Sequence, residues 1–389
     1  MDLQSIRVLD LSHTLPGPYG TQLLCDMGAD VIKIERPETG EPGRQLGRTQ
    51  TDRRHAPVFE VMNRGKRSVT LDLKRERGLD AFLELARTAD VLVEQFRPGV
   101  VDRLGVAYDD MCTVNDEIVY CSLSGFGQTG PLSERVGHDL NYAGFAGLID
   151  MNRRDPETKP TLPGFPVADM AGGAFAALSI VGALLSRELG EGDGEYLDVS
   201  MTDALLSFSQ LLAAPAMAGV EQRPGATRTT GKYPCYDVYE TADGRYVTLA
   251  ALEPEFWQRF CELIDRPDLV SDHKSNDETT RKRLRNDLSA VFTQRSAEEW
   301  ETLLGDEDVM FGPVQTLAEA FESDHFEARG VIESDDGLLK RIGFPAITNR
   351  DLGQIESAPP ALGEHTDEVL QEVGFSAAEV ATLHEQDVV

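Results

Sequence analysis

The chain has 389 residues, of which 41% are hydrophobic and 27% are charged, a composition typical of globular proteins and not of disordered or fibrous ones. A single hydrophobic core rarely serves a chain longer than about 250–300 residues, so this length predicts two domains. The 37 basic and 67 acidic residues give a net charge of −30. Nucleic acid and anionic membrane surfaces would repel such a charge and are not expected partners.

The acidic residues are spread along the whole chain and do not form one acidic tail. A distributed acidic surface is typical of proteins from a high-salt cytoplasm, where screening shortens the reach of self-repulsion. We therefore expect a halophilic protein. An acidic enzyme from an ordinary cytoplasm is the alternative.

Other sequence features bear on the compartment and on metals. The sequence has no run of about 18 apolar residues, so we expect no transmembrane helix. The stretch Met1–Leu11 lacks the basic region of a signal peptide. The five cysteines are scattered without a CxxC pair, and the seven histidines form no HxH or HExxH arrangement. We expect a reduced, cytoplasmic location and no metal site.

The first part of the chain predicts an α/β unit. Ile6–Leu11 is a predicted strand, followed by the polar loop Ser12–Gly20, a helix at Thr21–Met27 and a second strand at Gly28–Pro37. This order is that of a doubly wound nucleotide-binding fold. The loop lacks GxGxxG, which predicts a Rossmann-like core without an ordinary NAD site.

The alternation of strands and helices continues, with polar loops after the strands, where open α/β sheets bind ligands. A long helix rich in glycine and alanine is expected to pack closely on a sheet or on a partner subunit. The predicted elements are strands at Ser68–Leu73, Asp90–Glu94 and Glu117–Ser122, helices at Arg77–Arg87 and Ala168–Leu189, and a strand running into a helix at Gly194–Phe208.

A change of composition to glycine, threonine and basic residues at Gln222–Tyr233 predicts a linker. Beyond it, Cys235–Leu252 predicts a β-hairpin with Asp243 and Gly244 at the turn, and amphipathic helices follow. We therefore predict that residues 1–225 form the first part of a large domain and residues 226–332 a smaller α+β domain. Residues 333–389 are expected to return to the large domain.

Asp169 lies at the start of the long apolar helix, where a carboxylate is most often an N-cap. Gly172 and Gly173 are expected to leave room there for a bulky ligand, and Pro166 to direct the chain into the helix. An apolar setting raises the pKa of a carboxyl group or increases its nucleophilicity by desolvation. We predict that Asp169 is catalytic, and that backbone N–H groups at the helix start stabilise oxyanions.

Two further side chains are candidates for chemistry. His138 lies in VGHDLNY, between a glycine-rich loop and a helix start, where a structural role is equally ordinary. Its neighbour Asp139 is expected to orient that loop or to cap the helix that starts there. Glu253 closes the hairpin just before Pro254, and the alternative there is a glutamate placed only by the helix dipole.

Four basic residues, Arg36, Lys66, Arg67 and Arg97, follow or precede predicted strands. Each alone is typical of a solvated surface charge. In a chain this acidic, four cations at the strand ends of one sheet predict a phosphate-binding rim and a phosphorylated ligand.

Seven segments follow one another along the chain: LPGPYGTQLLCDMGADVIKIERP, NRGKRSVTLDLK, DVLVEQFRPGV, LSGFGQTGP, GHDLNY, the Asp169 helix and CYDVYETADGRYVTLAALEPEFW. Together they resemble the family III CoA-transferases, which include carnitine-CoA transferases and 2-methylacyl-CoA racemases. The resemblance implies an interlocked homodimer whose Rossmann-like large domain is built from both chain ends. It also implies a CoA thioester as substrate and no permanently bound cofactor. The CoA contacts that it implies are Leu15, Pro16, Arg36, Asn63, Arg64, Gly65, Lys66, Gln95, Phe96, Arg97 and Gly137.

Within this family Asp169 matches the catalytic aspartate. The resemblance implies that in a transferase it attacks the donor thioester, forms a mixed anhydride and then an aspartyl-CoA thioester, which the acceptor carboxylate attacks. In the racemases the same position belongs to an acid/base set, and His138 and Glu253 match the positions of the other bases. Both reactions are therefore compatible with these three residues.

The segment GATRTTGKYP stands where formate-handling transferases carry consecutive glycines, so a formyl or oxalyl substrate is not expected. The acidic composition is similar to that of haloarchaeal members that move CoA between succinate and mesaconate. We predict a transferase that moves CoA from a dicarboxylyl-CoA such as succinyl-CoA to a carboxylate such as mesaconate. The alternative is a 2-methylacyl-CoA racemase.

Overall fold

The computed structural model describes residues 2–47, 56–333, 339–348 and 358–389. The chain divides into two compact units. The first unit comprises Met1–Leu148, Pro163–Ser209 and His325–Val389, and the second comprises Ile149–Leu162 and Gln210–Asp324.

The boundaries of the second unit differ from the predicted 226–332. This unit begins at Gln210, ends at Asp324 and includes the segment 149–162. The guanidinium of Arg154 in that segment pairs with the buried carboxylate of Asp237, which Arg285 also contacts at 3.0 Å. Long-range ion pairs of this kind attach the segment to the unit, and no local composition change marks it.

The first unit contains a parallel sheet of six strands, which confirms the predicted α/β fold. The strands lie in the order β3-β2-β1-β4-β5-β6, the doubly wound order in which the direction of strand addition reverses between β1 and β4 while all strands stay parallel. Their bounds are β1 (Arg7–Asp10), β2 (Asp30–Glu35), β3 (Arg67–Thr70), β4 (Val91–Glu94), β5 (Val119–Ser124) and β6 (Glu195–Ser200).

The helices up to the end of the central sheet are α1 (Pro16–Asp26), α2 (Pro57–Met62), α3 (Glu76–Ala86), α4 (Val100–Leu104), α5 (Tyr108–Cys112), α6 (Asp139–Phe145), α7 (Leu148–Met151), α8 (Val167–Glu188) and α9 (Met201–Ser207). One face of the sheet carries a core in which Phe82 and Leu85 of α3 pack with Met111 of α5. Val369 and Leu383 from the C-terminal segment belong to the same core, so this segment lies in the first unit.

The second unit is a small antiparallel sheet with helices. Its elements are α10 (Gln210–Met217), β7 (Tyr236–Glu240), β8 (Tyr246–Ala250), α11 (Pro254–Leu263), α12 (Glu278–Phe292), α13 (Ala297–Leu304), β9 (Phe311–Pro313) and α14 (Leu317–Phe321). Strands β7 and β8 form the predicted hairpin, and β9 pairs with β8. Trp257, Phe260, Phe292 and Trp300 form its core.

The C-terminal part of the first unit contains α15 (Asp324–Ala328), the short strand pair β10 (Ile332–Glu333) and β11 (Arg341–Ile342), and helices α16 (Thr366–Glu372) and α17 (Ala377–Glu385). The backbone N–H of Thr70 in β3 donates to Thr366 Oγ1 at 3.0 Å. This contact attaches α16 to the edge strand of the sheet.

Helix α1 begins at Pro16, earlier than the predicted Thr21. Proline suits the first turn of a helix because its missing N–H would have no helical partner there. The next free donor, Gly17 N–H, donates to the side chain of Gln95 at 2.9 Å. The predicted loop Ser12–Gly20 is therefore only about half loop.

Gly172 and Gly173 of α8 serve packing and leave no room for a ligand, so that expectation was wrong. A Cβ atom on Gly173 would lie 2.4 Å from the carbonyl oxygen of Pro16, and one on Gly172 would lie 2.6 Å from the side chain of Met201. Gly20 of α1 faces Gly173 equally closely. The two helices cross at this glycine pair, which brings the start of α8 against the start of α1.

Among the described helices, α8 is long and apolar enough, by length and composition, to cross a membrane. Half of that stretch is buried inside the chain.

Candidate active site

A cleft of about 2100 Å³ lies at the carboxyl ends of the first five strands of the sheet. The loops after β1 and β4 both line it, at the point where the strand order reverses. Open α/β sheets bind ligands at this point because the two loops diverge to opposite sides of the sheet. All the residues that line the cleft belong to the first unit.

Asp169 lines this cleft from the first turn of α8, and it is not the cap of that helix. Asp139 supplies the cap: one of its carboxylate oxygens accepts the N–H groups of Ala168 at 2.7 Å and Asp169 at 3.1 Å. The Asp169 carboxylate makes no hydrogen bond among the described residues. It is therefore available to a ligand.

The other first-turn donors of α8 are also occupied. Val167 N–H donates to Phe165 O at 2.9 Å, and Met170 N–H donates to Pro166 O at 3.1 Å. Of the four N–H groups that a helix start normally leaves unpaired, Pro166 has none, and those of Val167, Ala168 and Asp169 all have partners. The prediction that these groups stabilise oxyanions was wrong, because α6 and the chain before α8 use them.

Burial raises the pKa of Asp169 to about 7, and the negative charge of Asp139 adds to this effect. A carboxyl group in water loses its proton near pH 4. At neutral pH the Asp169 carboxyl thus exchanges readily between acid and base. A partly desolvated carboxylate of this kind serves as a nucleophile or as a general base.

His138 also lines the cleft, as the exposed residue before α6. Its backbone is fixed at both ends, since His138 N–H donates to Asn141 Oδ1 at 3.0 Å and Asn141 N–H donates to His138 O at 2.8 Å. No hydrogen bond of the imidazole occurs among the described residues. The structure therefore places His138 and Asp169 on the walls of one cleft.

Tyr142 is a cleft residue that the sequence did not single out. Its hydroxyl donates to Gly137 O at 2.6 Å, and a Cβ atom on Gly125 would lie 2.4 Å from its ring. Burial raises the pKa of this hydroxyl, Asp169 raises it further and Arg97 opposes the shift. Tyr142 thus brings the loop after β5, the loop before α6 and Asp169 together. The spacing of Gly125, Gly137 and an aromatic residue is the signal that could have found it.

The CoA contacts implied by the resemblance fall into two groups. Six of them line the cleft: Pro16, Arg36, Gln95, Phe96, Arg97 and Gly137. The other five do not: Leu15, Asn63, Arg64, Gly65 and Lys66.

Lys66 lies in a buried network beneath the cleft. Its ammonium donates to Asp10 Oδ2 at 3.1 Å, to Thr21 Oγ1 at 2.8 Å and to Asn63 Oδ1 at 3.0 Å. Burial alone would raise the pKa of Asp10, but Lys33 and Lys66 outweigh burial and hold it well below its usual range. Lys66 and Asn63 thus support β1 and α1, and they do not belong to a phosphate-binding rim.

Arg67 is at the wrong edge of the sheet for the predicted rim. It begins β3, and its guanidinium contacts Asp30 at 2.6 Å and Glu372 at 2.6 Å. Asp30 begins β2, so this ion-pair cluster lies at the amino ends of the strands, opposite the cleft. The prediction used only the nearness of each basic residue to a strand in the sequence, and it did not distinguish the amino end of a strand from its carboxyl end.

The cleft is nevertheless far less acidic than the chain as a whole. Six cationic and six acidic side chains line it, against 37 and 67 in the whole sequence. Four of these cations, Lys74, Arg75, Arg103 and Arg135, were not predicted. The cations are Arg36, Lys74, Arg75, Arg97, Arg103 and Arg135, and the acids are Glu35, Glu38, Glu41, Asp72, Asp169 and Asp387.

The acidic end of β2 is not free for a nucleotide ribose. Glu35 binds the guanidinium of Arg44 and accepts hydrogen bonds from Ser68 Oγ at 2.7 Å and Glu41 N–H at 3.0 Å. Dinucleotide-binding folds use an acidic residue at this place for the ribose hydroxyls. Because Glu35 is occupied, its setting agrees with the predicted lack of an ordinary NAD site.

Glu253 lies in the second unit, where it is the exposed residue before α11. Its side chain makes no capping hydrogen bond. Within the described residues no group of three or more histidine, cysteine, aspartate or glutamate side chains is arranged to hold a metal ion.

The model of CoA-transferase family III matches residues 3–366, which comprise all of the second unit and most of the first. The chain belongs to CoA-transferase family III. Members of this family act on CoA thioesters, and a CoA thioester is large enough to need a cleft of this size. The resemblance found in the seven sequence segments is thereby confirmed.

Proteins of known activity cover the chain almost end to end. The succinyl-CoA:glutarate CoA-transferase of Mus musculus is 32% identical over 379 residues, 95% of this chain and 86% of the mouse protein. The alpha-methylacyl-CoA racemase of Homo sapiens is 32% identical over 393 residues, 100% of this chain and 98% of the human protein. A transferase and a racemase are thus equally similar to it, which indicates an enzyme.

The fold has a solved counterpart. A crystal structure of a CAIB/BAIF family protein from Brucella suis has a TM-score of 0.83 and 29% sequence identity to this chain. The match covers 95% of this chain and 99% of that chain. The six-stranded parallel sheet is therefore the fold of the family.

Proposed function

We propose that this protein is a CoA-transferase that moves CoA from a dicarboxylyl-CoA, such as succinyl-CoA, to a carboxylate acceptor such as mesaconate. The observation that carries the proposal is the Asp169 carboxyl group. It lines the cleft, makes no hydrogen bond among the described residues, and has a pKa raised to about 7. The similarity to a succinyl-CoA:glutarate CoA-transferase supports the class of donor.

In the proposed first half-reaction an oxygen of the Asp169 carboxylate attacks the thioester carbonyl of the donor. The C–S bond breaks, CoA leaves as a thiolate, and a mixed anhydride forms. The thiolate then attacks the aspartyl carbonyl and releases the donor acid, leaving an aspartyl-CoA thioester. Partial desolvation favours these steps because it leaves the carboxylate less stabilised by water and more nucleophilic.

The second half-reaction is the reverse with a new acid. The acceptor carboxylate attacks the aspartyl-CoA thioester and displaces the thiolate, which then attacks the acyl carbonyl of the acceptor. Acceptor-CoA leaves and the Asp169 carboxylate is regenerated. We propose that the cationic side chains of the cleft, Arg36 and Arg97 among them, bind the phosphate groups of CoA and retain it through both half-reactions.

The test incubates the enzyme with succinyl-CoA and one acceptor acid at a time (mesaconate, glutarate or oxalate) and measures the acyl-CoA products. Transfer to a dicarboxylate that is lost in Asp169→Ala is the expected result. Hydroxylamine should trap the activated aspartyl carbonyl at Asp169 only when succinyl-CoA is present. Hydrolysis without transfer, or an active Asp169→Ala variant, would contradict the proposal.

The second candidate function is a 2-methylacyl-CoA racemase, and His138 favours it. Its imidazole lies on the same cleft as Asp169 with no hydrogen bond among the described residues, as a second base would require. A chiral 2-methylacyl-CoA in deuterated water distinguishes the two reactions, because only a racemase exchanges the α-proton without an acceptor. His138→Ala and Glu253→Ala should then be severe for racemisation and mild for CoA transfer.

A further inference from the structure

The start of α8 is held by a side chain from another element. Pro166, the residue before the helix, has no side-chain cap, and the two N–H groups that follow Val167 both donate to Asp139. Asp139 lies 30 residues earlier in the chain than Asp169, in the first turn of α6. The carboxylate of α6 thus determines where the first turn of α8 sits.

Asp139 is itself held firmly. The backbone before it is closed by the mutual hydrogen bonds of His138 and Asn141, and the hydroxyl of Tyr142 holds Gly137 O at 2.6 Å. His138, Asn141 and Tyr142 line the cleft, whereas Asp139 does not. Its side chain is turned to the helix start and away from any ligand.

We propose that Asp139 is a positioning residue that fixes the first turn of α8 and thereby the direction in which Asp169 presents its carboxylate to the substrate. This proposal rests on the proposed function of Asp169. Asp139 accepts hydrogen bonds from two consecutive N–H groups, those of Ala168 and Asp169. These two bonds leave the Cα atom of Asp169 little freedom to move. A reacting group misplaced by about 1 Å loses on the order of 100-fold in rate.

The charge of Asp139 has a second effect on the same group. After burial, it is the cause that raises the pKa of Asp169, so removing this charge should make Asp169 more acidic. Tyr142 and Arg97 also face this corner of the cleft. The remaining titratable groups on elements packed against α8 include Tyr19 of α1, Cys121 of β5, Asp198 of β6 and Asp203 of α9, and none of them contributes to the shift of Asp169.

Two substitutions separate the two effects. Asp139→Asn keeps an oxygen that can accept both N–H groups but has no charge, whereas Asp139→Ala loses the cap as well. In Asp139→Asn we expect KM for the CoA thioester within about 2-fold of wild type and an acid limb of the kcat/KM profile moved to lower pH. In Asp139→Ala we expect kcat to fall about 10- to 100-fold with KM little changed.

A matched control separates positioning from simple helix capping. Asp277 caps α12 in the second unit, where its carboxylate accepts Thr280 N–H at 2.7 Å. Asp277→Ala should lower the melting temperature by about 2 °C, as Asp139→Ala does, and leave kcat and the pH profile unchanged. If Asp139→Ala lowers kcat no more than Asp277→Ala, Asp139 is only a cap and the proposal is wrong.

The two proposals fail in different ways. An Asp169→Ala variant that keeps turnover removes the proposed function, and the positioning role with it. An inactive Asp169→Ala together with Asp139→Asn and Asp139→Ala variants of wild-type kcat and pH profile overturns only the positioning role. If Asp139→Ala does not fold, Asp139→Glu decides, because it keeps the charge but moves the carboxylate by one methylene. A wild-type kcat in Asp139→Glu would then overturn the positioning role. Glu94 does not confuse the shift of the acid limb in Asp139→Asn, because Asp139 is not among the groups that affect the pKa of Glu94.

Discussion

The central residue, Asp169, carries a proton near neutral pH because it is partly buried and lies close to a second carboxylate. The nucleophile and the base are both the ionised form. The activity of the enzyme should therefore be lost as the pH falls through about 7, tenfold per pH unit in kcat/KM. Initial rates between pH 5 and 9 measure this, and an acid limb near pH 4 would mean that Asp169 is an ordinary exposed carboxylate.

The pH profile needs one control at the residue scale. Burial also raises the pKa of Glu94 to about 7, and its carboxylate accepts Phe96 N–H at 2.7 Å in the loop after β4. Glu94→Gln should retain an acid limb near 7, because the ionisation of Asp169 remains. Disappearance of the limb in Glu94→Gln would assign it to Glu94.

The raised pKa of Asp169 has a cost in stability with a definite sign. Between about pH 4 and 7 the folded state binds the Asp169 proton more tightly than the unfolded state does, so stability falls as the pH rises through this range. Asp169→Asn removes the buried charge. Thermal unfolding at pH 8 should show the variant more stable by about 1–2 kcal/mol, with no gain at pH 4. Equal melting at pH 8 would contradict the burial of the charge.

At the scale of elements, the crossing of α1 and α8 sets the position of Asp169 at the cleft. Gly173→Ala should destabilise the fold by about 2 kcal/mol, since its Cβ would lie 2.4 Å from Pro16 O and 2.9 Å from the ring of Tyr19. Gly182→Ala on the same helix is the matched control. In the single chain its Cβ meets nothing within 4 Å, and alanine favours the helix by about 0.5–1 kcal/mol. Denaturant unfolding of both variants gives the comparison, and equal effects would exclude a tight crossing.

For the whole molecule, the net charge of −30 predicts a strong dependence on salt. Added KCl screens the repulsion among acidic residues, so the melting temperature should rise between 0.1 and 2 M salt if the protein is halophilic. Binding of CoA should weaken over the same range, because the cations of the cleft are screened as well. A melting temperature that does not change with KCl would identify an ordinary acidic enzyme.

The interlocked homodimer remains a prediction at this scale. Leu178 and Leu185 of α8, together with Leu206 and Phe208, are exposed in the single chain. Apolar side chains exposed in this number are typical of a surface that another subunit covers. Sedimentation equilibrium should give twice the mass of the chain at micromolar concentration. A monomer mass would contradict the homodimer that the resemblance implies.

Local sequence patterns were enough to predict most of the strands, several helices and the family. Strands such as β4 and β5 and helices such as α3 and α8 lie within two residues of their predicted bounds, because the alternation of apolar and polar residues is a local property of the sequence. The segments that surround Asp169 also identified CoA-transferase family III, and the Asp169 carboxyl was placed correctly at the start of α8.

The tertiary structure alone decided what each charged side chain does. Asp139 and not Asp169 caps α8. Lys66 forms an ion pair with Asp10, and Arg67 lies at the amino ends of the strands, opposite the cleft. The partners in the first two pairs are 30 and 56 residues apart. A carboxylate that caps a helix, one that pairs with a lysine and one that is free to bind a substrate are the same residue type in similar local sequences. Only the fold sets its distance to the group that occupies it or leaves it free.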